Sequence, residues 1–404
     1  MKEIDQLDIN EIQKLVNNWS YPTDIRFGAG RVAELPSICD SINAKRPLMV
    51  TDTGLSRLPM INKIIEQAKS EGIDISLFSD VKPNPTEKNV NEGVKEYKNK
   101  HCDAVIAVGG GSALDAGKTI ALMVGQKKNL WNYEDNGNNW RSVEVKGIAP
   151  CIALPTTAGT GSEVGRAAVI VDEASLTKKI IFHPNLMPDI VIADAELSIG
   201  LPANITAATG MDAFVHCLEA FCSPAYHPMA DGIALEGMRL IKEWLPKAVA
   251  NGNDLVARSH MLVASTMGAT AFQKGLGGIH ALAHPLGAVY DKHHGLLNAI
   301  LLPYVLIKNR SSIEKKLKHI VRCLELPTNE NSKPDYNDFY QWIIGFRQTL
   351  GIPDNLSEIG IDLEKRCLIS RMACNDPTAA GNPVELNESD YLQIFENAVN
   401  GCLD

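Results

Sequence analysis

Seven of the ten histidines in this 404-residue chain fall between His216 and His294. Within TGMDAFVHCLEAF, Asp212 and His216 are four residues apart, so a helix would project both from one face, and the apolar residues around them predict that this face is buried. In GGIHALAHPLGAVYDKHHG, His280 and His284 repeat the spacing, with His293 and His294 beyond an expected turn. One carboxylate and several imidazoles on inward faces form a ligand set for a divalent first-row cation such as Fe²⁺ or Zn²⁺. A single spaced pair is as readily a satisfied core feature; two pairs and a terminal His-His-Gly point to metal. Pro285 lacks an N–H and crowds the carbonyl of Ala281, which predicts a kink or break there. Helical geometry therefore does not choose among these histidines.

A second chemistry lies upstream. The segment AVIAVGGGSALDAGKTIAL reads as a buried strand, Ala104–Val108, then Gly109, Gly110, Gly111 and Ser112, then a helix. Glycines let backbone approach an anion closely, and the first N–H groups of the helix point at it with the dipole behind them. The spacing is not that of a P-loop, because five residues separate Gly111 from Gly117. Nor is it GxGxxG, because Leu114 stands where the third glycine belongs. A phosphate-bearing ligand is implied without being specified, and a ligand-free tight turn is the alternative. The stretch PTTAGTGSE (155–163) adds hydroxyls and amides suited to ribose and phosphate. Asp52, in MVTDTG, could accept from a ribose 2′-hydroxyl and would repel a 2′-phosphate, favouring NAD over NADP.

These groups need elements to hold them. Apolar runs at Leu48–Thr51, Ile73–Phe78, Ala104–Val108, Cys151–Leu154, Ala168–Val171 and Ile190–Ala193 alternate with helical patterns, which predicts βαβ units and a parallel sheet. VKPNPTE (81–87) must be loop, and 129–147 is polar enough for an excursion or hairpin. After Ser198 the β-runs stop and helical spacing takes over. The expected organisation is an α/β domain over 1–198 and an all-helical domain over 199–404, with loops at 223–228, 251–254, 327–338 and 375–383.

Composition narrows the class. Hydrophobic residues make up 45% and charged residues 22%, as in a folded globular chain. A net charge of −9 disfavours nucleic acid. No run reaches the roughly 18 apolar residues of a membrane helix, and the start, MKEIDQLDIN, is acidic where a secretion signal would be basic and then apolar. Nine scattered cysteines without a CxxC pair argue against a disulfide framework or a thiolate zinc site, so a cytoplasmic protein is expected.

Taken together, GGGSALDAGK (109–118), PTTAGTGSEV (155–164), PNLMPDIVIADAEL (184–197), GMDAFVHCLEAF (210–221) and HALAHPLGAVYDKHHG (280–295) closely resemble the iron-containing (group III) alcohol dehydrogenase family, over nearly the whole chain from Phe27 onward. The resemblance implies a Rossmann-like domain, a helical domain and a catalytic cleft between them. It implies Asp212, His216, His280 and His294 as ligands of Fe²⁺ or Zn²⁺, with His284 unligated beside the nicotinamide as the catalytic histidine. For NAD it implies Asp52, Gly109, Gly110, Gly111, Ser112, Asp115, Thr156, Thr157, Thr160 and Lys178. His293 stays outside the set. The implied activity is hydride transfer between a primary alcohol, or its aldehyde, and nicotinamide, in a homodimer or larger homo-oligomer. Within the family the alternatives are a hydroxyacid–oxoacid transhydrogenase or a semialdehyde reductase, for which Arg166 could pair with a carboxylate. More remote is a metal- and NAD-dependent lyase of the dehydroquinate synthase type. Two departures bear on the substrate pocket: Gly165, where most relatives carry threonine, and the tail NDPTAAGNP (375–383) in place of a TNPR-type ending.

Overall fold

Six strands form one parallel sheet in the order β1-β8-β5-β4-β2-β3. They are β1 (Asp24–Phe27), β2 (Pro47–Asp52), β3 (Ser76–Val81), β4 (Ala104–Gly109), β5 (Cys151–Pro155) and β8 (Ile190–Ala193). The computed structural model describes residues 21–175, 177–328 and 333–403; MKEIDQLDIN and part of the 327–338 loop lie outside them.

Alternation along the strands feeds two cores. Leu48, Val50, Val105 and Ala107 face one layer, and Met49, Ala104, Ile106 and Val108 the other. Helices therefore cover both faces: α1 (Leu35–Ser41), α2 (Pro59–Ser70), α3 (Glu87–Asn99) and α4 (Gly111–Met123). Beyond Ser198 the described chain contains no strand. Helices α5 (Ala203–Cys222), α6 (Pro228–Ala250), α7 (Leu255–Ala271), α8 (Gly278–Tyr290), α9 (His294–Cys323), α10 (Tyr336–Thr349), α11 (Arg366–Cys374) and α12 (Glu388–Asn400) share one core. The expected fold class, a Rossmann-like sheet half followed by a helical half, holds.

Several details differ. β3 starts at Ser76 rather than Ile73, because Ile73 and Ile75 are spent packing the chain under the sheet before pairing begins. The run at Ala168–Val171 is β6 (Ala167–Asp172), which leaves the parallel sheet and pairs antiparallel with β7 (Thr177–Phe182). The link between those two strands is too short for a crossover, which needs about a dozen residues. Residues 129–147 form three short 3₁₀ turns rather than a hairpin. Helix α8 continues through Pro285 without a break, embedded among the fully buried Leu282, Ala283 and Leu286.

Candidate active site

Helix α5 is buried nearly all round and presents Asp212, His216 and Glu219 on one face at successive turns. Helix α8 starts where its first N–H groups find acceptors: Gly277 and Ile279 donate to Glu219 at 2.9 and 2.8 Å, and Gly278 donates to Asn382 at 3.0 Å. That start aims His280 at α5. Asp291 follows α8 in a left-handed conformation (φ 50°), a tight reversal that lets α9 begin at His294 and return its imidazole to the same point. His293, left out of the ligand set, caps α9 by accepting from the Leu296 amide.

Oδ1 of Asp212 lies 3.9 Å from Nε2 of His216, 4.0 Å from Nε2 of His280 and 3.8 Å from Nε2 of His294. Ligand atoms of Asp212, His280 and His294 all fall within 4.8 Å of one another, and the His216 ring stacks on His280 at 4.8 Å. Burial pushes His216 down to about 4 and His294 well below the usual imidazole range, which favours the neutral imidazole that a cation requires. Burial also opposes charge on His280, but Glu219, 2.7 Å from its Nδ1, overrides this and raises its pKa. With the proton held on Nδ1 by Glu219, Nε2 faces Asp212. Three nitrogens and one carboxylate oxygen suit a divalent first-row cation.

His284, one turn beyond His280, stacks on His294 at 5.2 Å and takes a different partner: its Nδ1 lies 2.9 Å from Oδ2 of Asp376. Asp376 is itself fixed by the amide and hydroxyl of Thr378. Burial raises its carboxyl pKa, and His284 more than reverses this, leaving it below its ordinary value.

The sheet half contributes a cradle. Gly109 ends β4 at φ +148°, and a Cβ there would lie 2.6 Å from that of Ala113. A Cβ on Gly110 would meet the Thr157 hydroxyl at 3.2 Å, and one on Gly111 would meet the Thr160 methyl at 2.6 Å, so the two cofactor motifs lie against each other. Thr156 joins them through its amide, which donates to Gly109 at 3.0 Å. Asp52 turns back on the amides of Gly54 and Leu55 beside this loop. The glycines are required by this close packing of the two loops, and the helix that begins at Gly111 offers the first N–H groups that suit a phosphate-bearing group. Asp115 is committed to the Ser162 hydroxyl, the Val169 amide and Lys118, so it braces the cradle from below. Ser112 donates to the carbonyl of Pro83, and Asn84 of the same loop donates across to Asp291 at 2.7 Å. Lys178, on β7, faces α8 near Gly287. Burial lowers its pKa, against the pull of Asp115, Asp212, Asp376 and Asp291. Gly165 has room for a side chain against Ser162, Lys118 and Ala167, and Arg166 lies over the Phe182 ring.

Glu219, Asp376 and Asn298 were not anticipated from the sequence. Glu219 continues the Asp212–His216 spacing by one further turn, a signal that was present. Asn298 stands four residues after His294 within the apolar run 296–307. Asp376 has no local signal, since it meets His284 across 92 positions.

Residues 22–195 match the model of the iron-containing alcohol dehydrogenases, and residues 206–399 match that of the C-terminal part of the Fe-containing alcohol dehydrogenase family. The chain is 36% identical over 389 residues to a 4-hydroxybutyrate dehydrogenase of Cupriavidus necator, covering 94% of this chain and 99% of that one. It is 34% identical over 386 residues to an NAD-dependent methanol dehydrogenase of Bacillus methanolicus, covering 95% and 100%. A crystal structure of a 1,3-propanediol oxidoreductase superposes with a TM-score of 0.88 at 33% identity, covering 95% of this chain and all of the other.

Proposed function

This chain belongs to the iron-containing alcohol dehydrogenase family, and from that premise we propose that it interconverts a primary alcohol and its aldehyde with NAD, using Asp212, His216, His280 and His294 to hold one divalent cation. The observation that carries the reading is the convergence of Asp212, His280 and His294 ligand atoms within 4.8 Å of one another, from three different helices. When bound there, the cation supplies Lewis acidity to the alcohol oxygen and NAD supplies the hydride acceptor. Glu219 keeps His280 in the tautomer that donates from Nε2. His284 receives the hydroxyl proton at Nε2, because Asp376 holds its other nitrogen. Gly109, Gly110 and Gly111 admit the pyrophosphate; Ser112, Thr156, Thr157, Thr160 and Lys178 line its path; Asp52 selects the ribose of NAD against a 2′-phosphate.

The test is anaerobic incubation with Fe²⁺ or Zn²⁺, a panel of short alcohols, and NAD or NADP, followed by absorbance of the reduced nicotinamide. Reduction of NAD is expected to exceed that of NADP; no reduction with any alcohol and either metal overturns the reading. A second reading, an ω-hydroxy acid as the alcohol, draws on Lys178, whose Nζ lies near Gly287 on the helix that carries His280 and His284. The relative named for 4-hydroxybutyrate supports it. A lower KM for 4-hydroxybutyrate than for 1-butanol, lost in Lys178→Ala, distinguishes the two. A cytoplasmic homo-oligomer is the expected form; no helix among the described residues is long and apolar enough to cross a membrane.

A further inference from the structure

Helix α9 carries another polar side chain one turn beyond His294. Asn298 is fully buried, on the same face by its four-residue spacing. Its Nδ2 lies 2.7 Å from Oδ1 of Asp212, 3.2 Å from Nε2 of His280 and 3.2 Å from Nε2 of His294. One amide nitrogen thus reaches three of the four side chains assigned to the cation, on three different helices. Among the described residues it is the only hydrogen-bond donor to Asp212. Its own Oδ1 is buried without a hydrogen-bond partner. An orphaned polar atom is costly in a packed interior, and natural proteins keep few. Packing alone does not account for it: in GLLNAILLP a leucine would fill this position without that cost.

We propose that Asn298 is a positioning residue of the cation centre, resting on the metal reading above: its N–H group grips the ligand oxygen of Asp212 and fixes the rotation of that carboxylate against the two imidazoles. A carboxylate can turn either oxygen inward, and an N–H bonded to the ionised group is among the stronger hydrogen bonds available to hold one of them. The ligand atoms are then ordered in advance, so that the cation does not bear the cost of ordering them and leaves slowly. Asn298 acts through Asp212, so removing it alters retention and ligand geometry of the cation without emptying the site.

The test uses Co²⁺ as the probe. Wild type and Asn298→Leu, which keeps the volume and removes the amide, are loaded with Co²⁺; their visible bands are recorded and the loss of Co²⁺ to excess EDTA is timed by elemental analysis. The variant is expected to lose Co²⁺ about 10- to 100-fold faster, with shifted bands, while its chelator-stripped form melts no lower than stripped wild type. Unchanged half-time and bands in a folded variant overturn the proposal, as does a melting point lowered equally with and without Co²⁺ at an unchanged half-time. If the leucine variant does not fold, Asn298→Ser takes its place, with faster loss expected and a wild-type half-time overturning the proposal. Wild type that takes up no Co²⁺ overturns the metal reading itself, a result separate from equal half-times.

Discussion

Nδ1 of His284 lies 2.9 Å from a carboxylate oxygen of Asp376, a pairing between α8 and the segment after α11. Because Thr378 holds the other oxygen twice, Asp376 can neither rotate away nor exchange partners cheaply. The His284 proton is thereby confined to Nδ1, leaving Nε2 as the acceptor.

Replacing Asp376 by asparagine removes that constraint while keeping the shape. The Asp376→Asn enzyme is expected to retain its cation and its KM for NAD, with kcat reduced about 10²-fold, the size of a typical general acid–base contribution. Steady-state rates with elemental analysis check this. Unchanged kcat, or loss of the cation, contradicts the assignment.

The same pair sets a pH dependence for stability. The Asp376 carboxyl is held below its ordinary value in the folded chain. It therefore favours folding fully at pH above the unfolded carboxyl value, about 3.9, and this contribution is lost as pH falls through the lower folded value. The melting-temperature gap between wild type and Asp376→Asn should shrink as pH falls from 5 to below 4. A gap that widens over that range refutes the linkage.

Glu219 accepts from His280 and from the amides of Gly277 and Ile279. Glu219→Gln turns one acceptor oxygen into a donor facing those N–H groups. Cation affinity is expected to fall about 10- to 100-fold, as for other partners of ligating histidines, and stability by about 1–3 kcal/mol for the unmet amides. Chelator competition and chemical denaturation measure the two losses; a variant that matches wild type in both would remove Glu219 from the centre.

Two glycines make a matched pair. A Cβ on Gly111 would sit 2.6 Å from Cγ2 and 2.9 Å from Oγ1 of Thr160, whereas one on Gly165 meets nothing closer than 3.5 Å. Gly111→Ala is expected to raise KM for NAD about tenfold or more, a loss of about 1.4 kcal/mol in binding, with the cation retained. Gly165→Thr should change it less than about threefold. Titration of NAD by fluorescence ranks them, and equal effects would show that Gly111 lines no cofactor site.

The sheet-then-helix order was legible because buried parallel strands and buried helices leave different periods in the sequence. The edge strand β1, with two charged residues in DIRF and no buried position, does not, and β7, with two lysines in TKKIIF, lacks the apolar run that marked its neighbours. Residue type and spacing marked out the Asp212–His216 and His280–His284 pairs and the His293–His294 doublet as a candidate ligand cluster, and the family resemblance chose Asp212, His216, His280 and His294 among them. Glu219 lies three residues beyond His216 on the same helix face, where an acid is ordinary and so does not stand out by itself. Asn298 resembles a polar interruption in the apolar run 296–307, and Asp376 becomes meaningful only once the chain has folded back onto α8.

Asn84 reaches from the loop beside the glycines to Asp291, at the bend between the two histidine-bearing helices. This hydrogen bond crosses from the sheet half to the helical half, beside the turn that brings His294 back toward Asp212. Hydride transfer tolerates little slack, and a misfit of about an ångström is enough to stall it. A bond that ties the loop beside the glycines to this bend limits how far the two can drift apart.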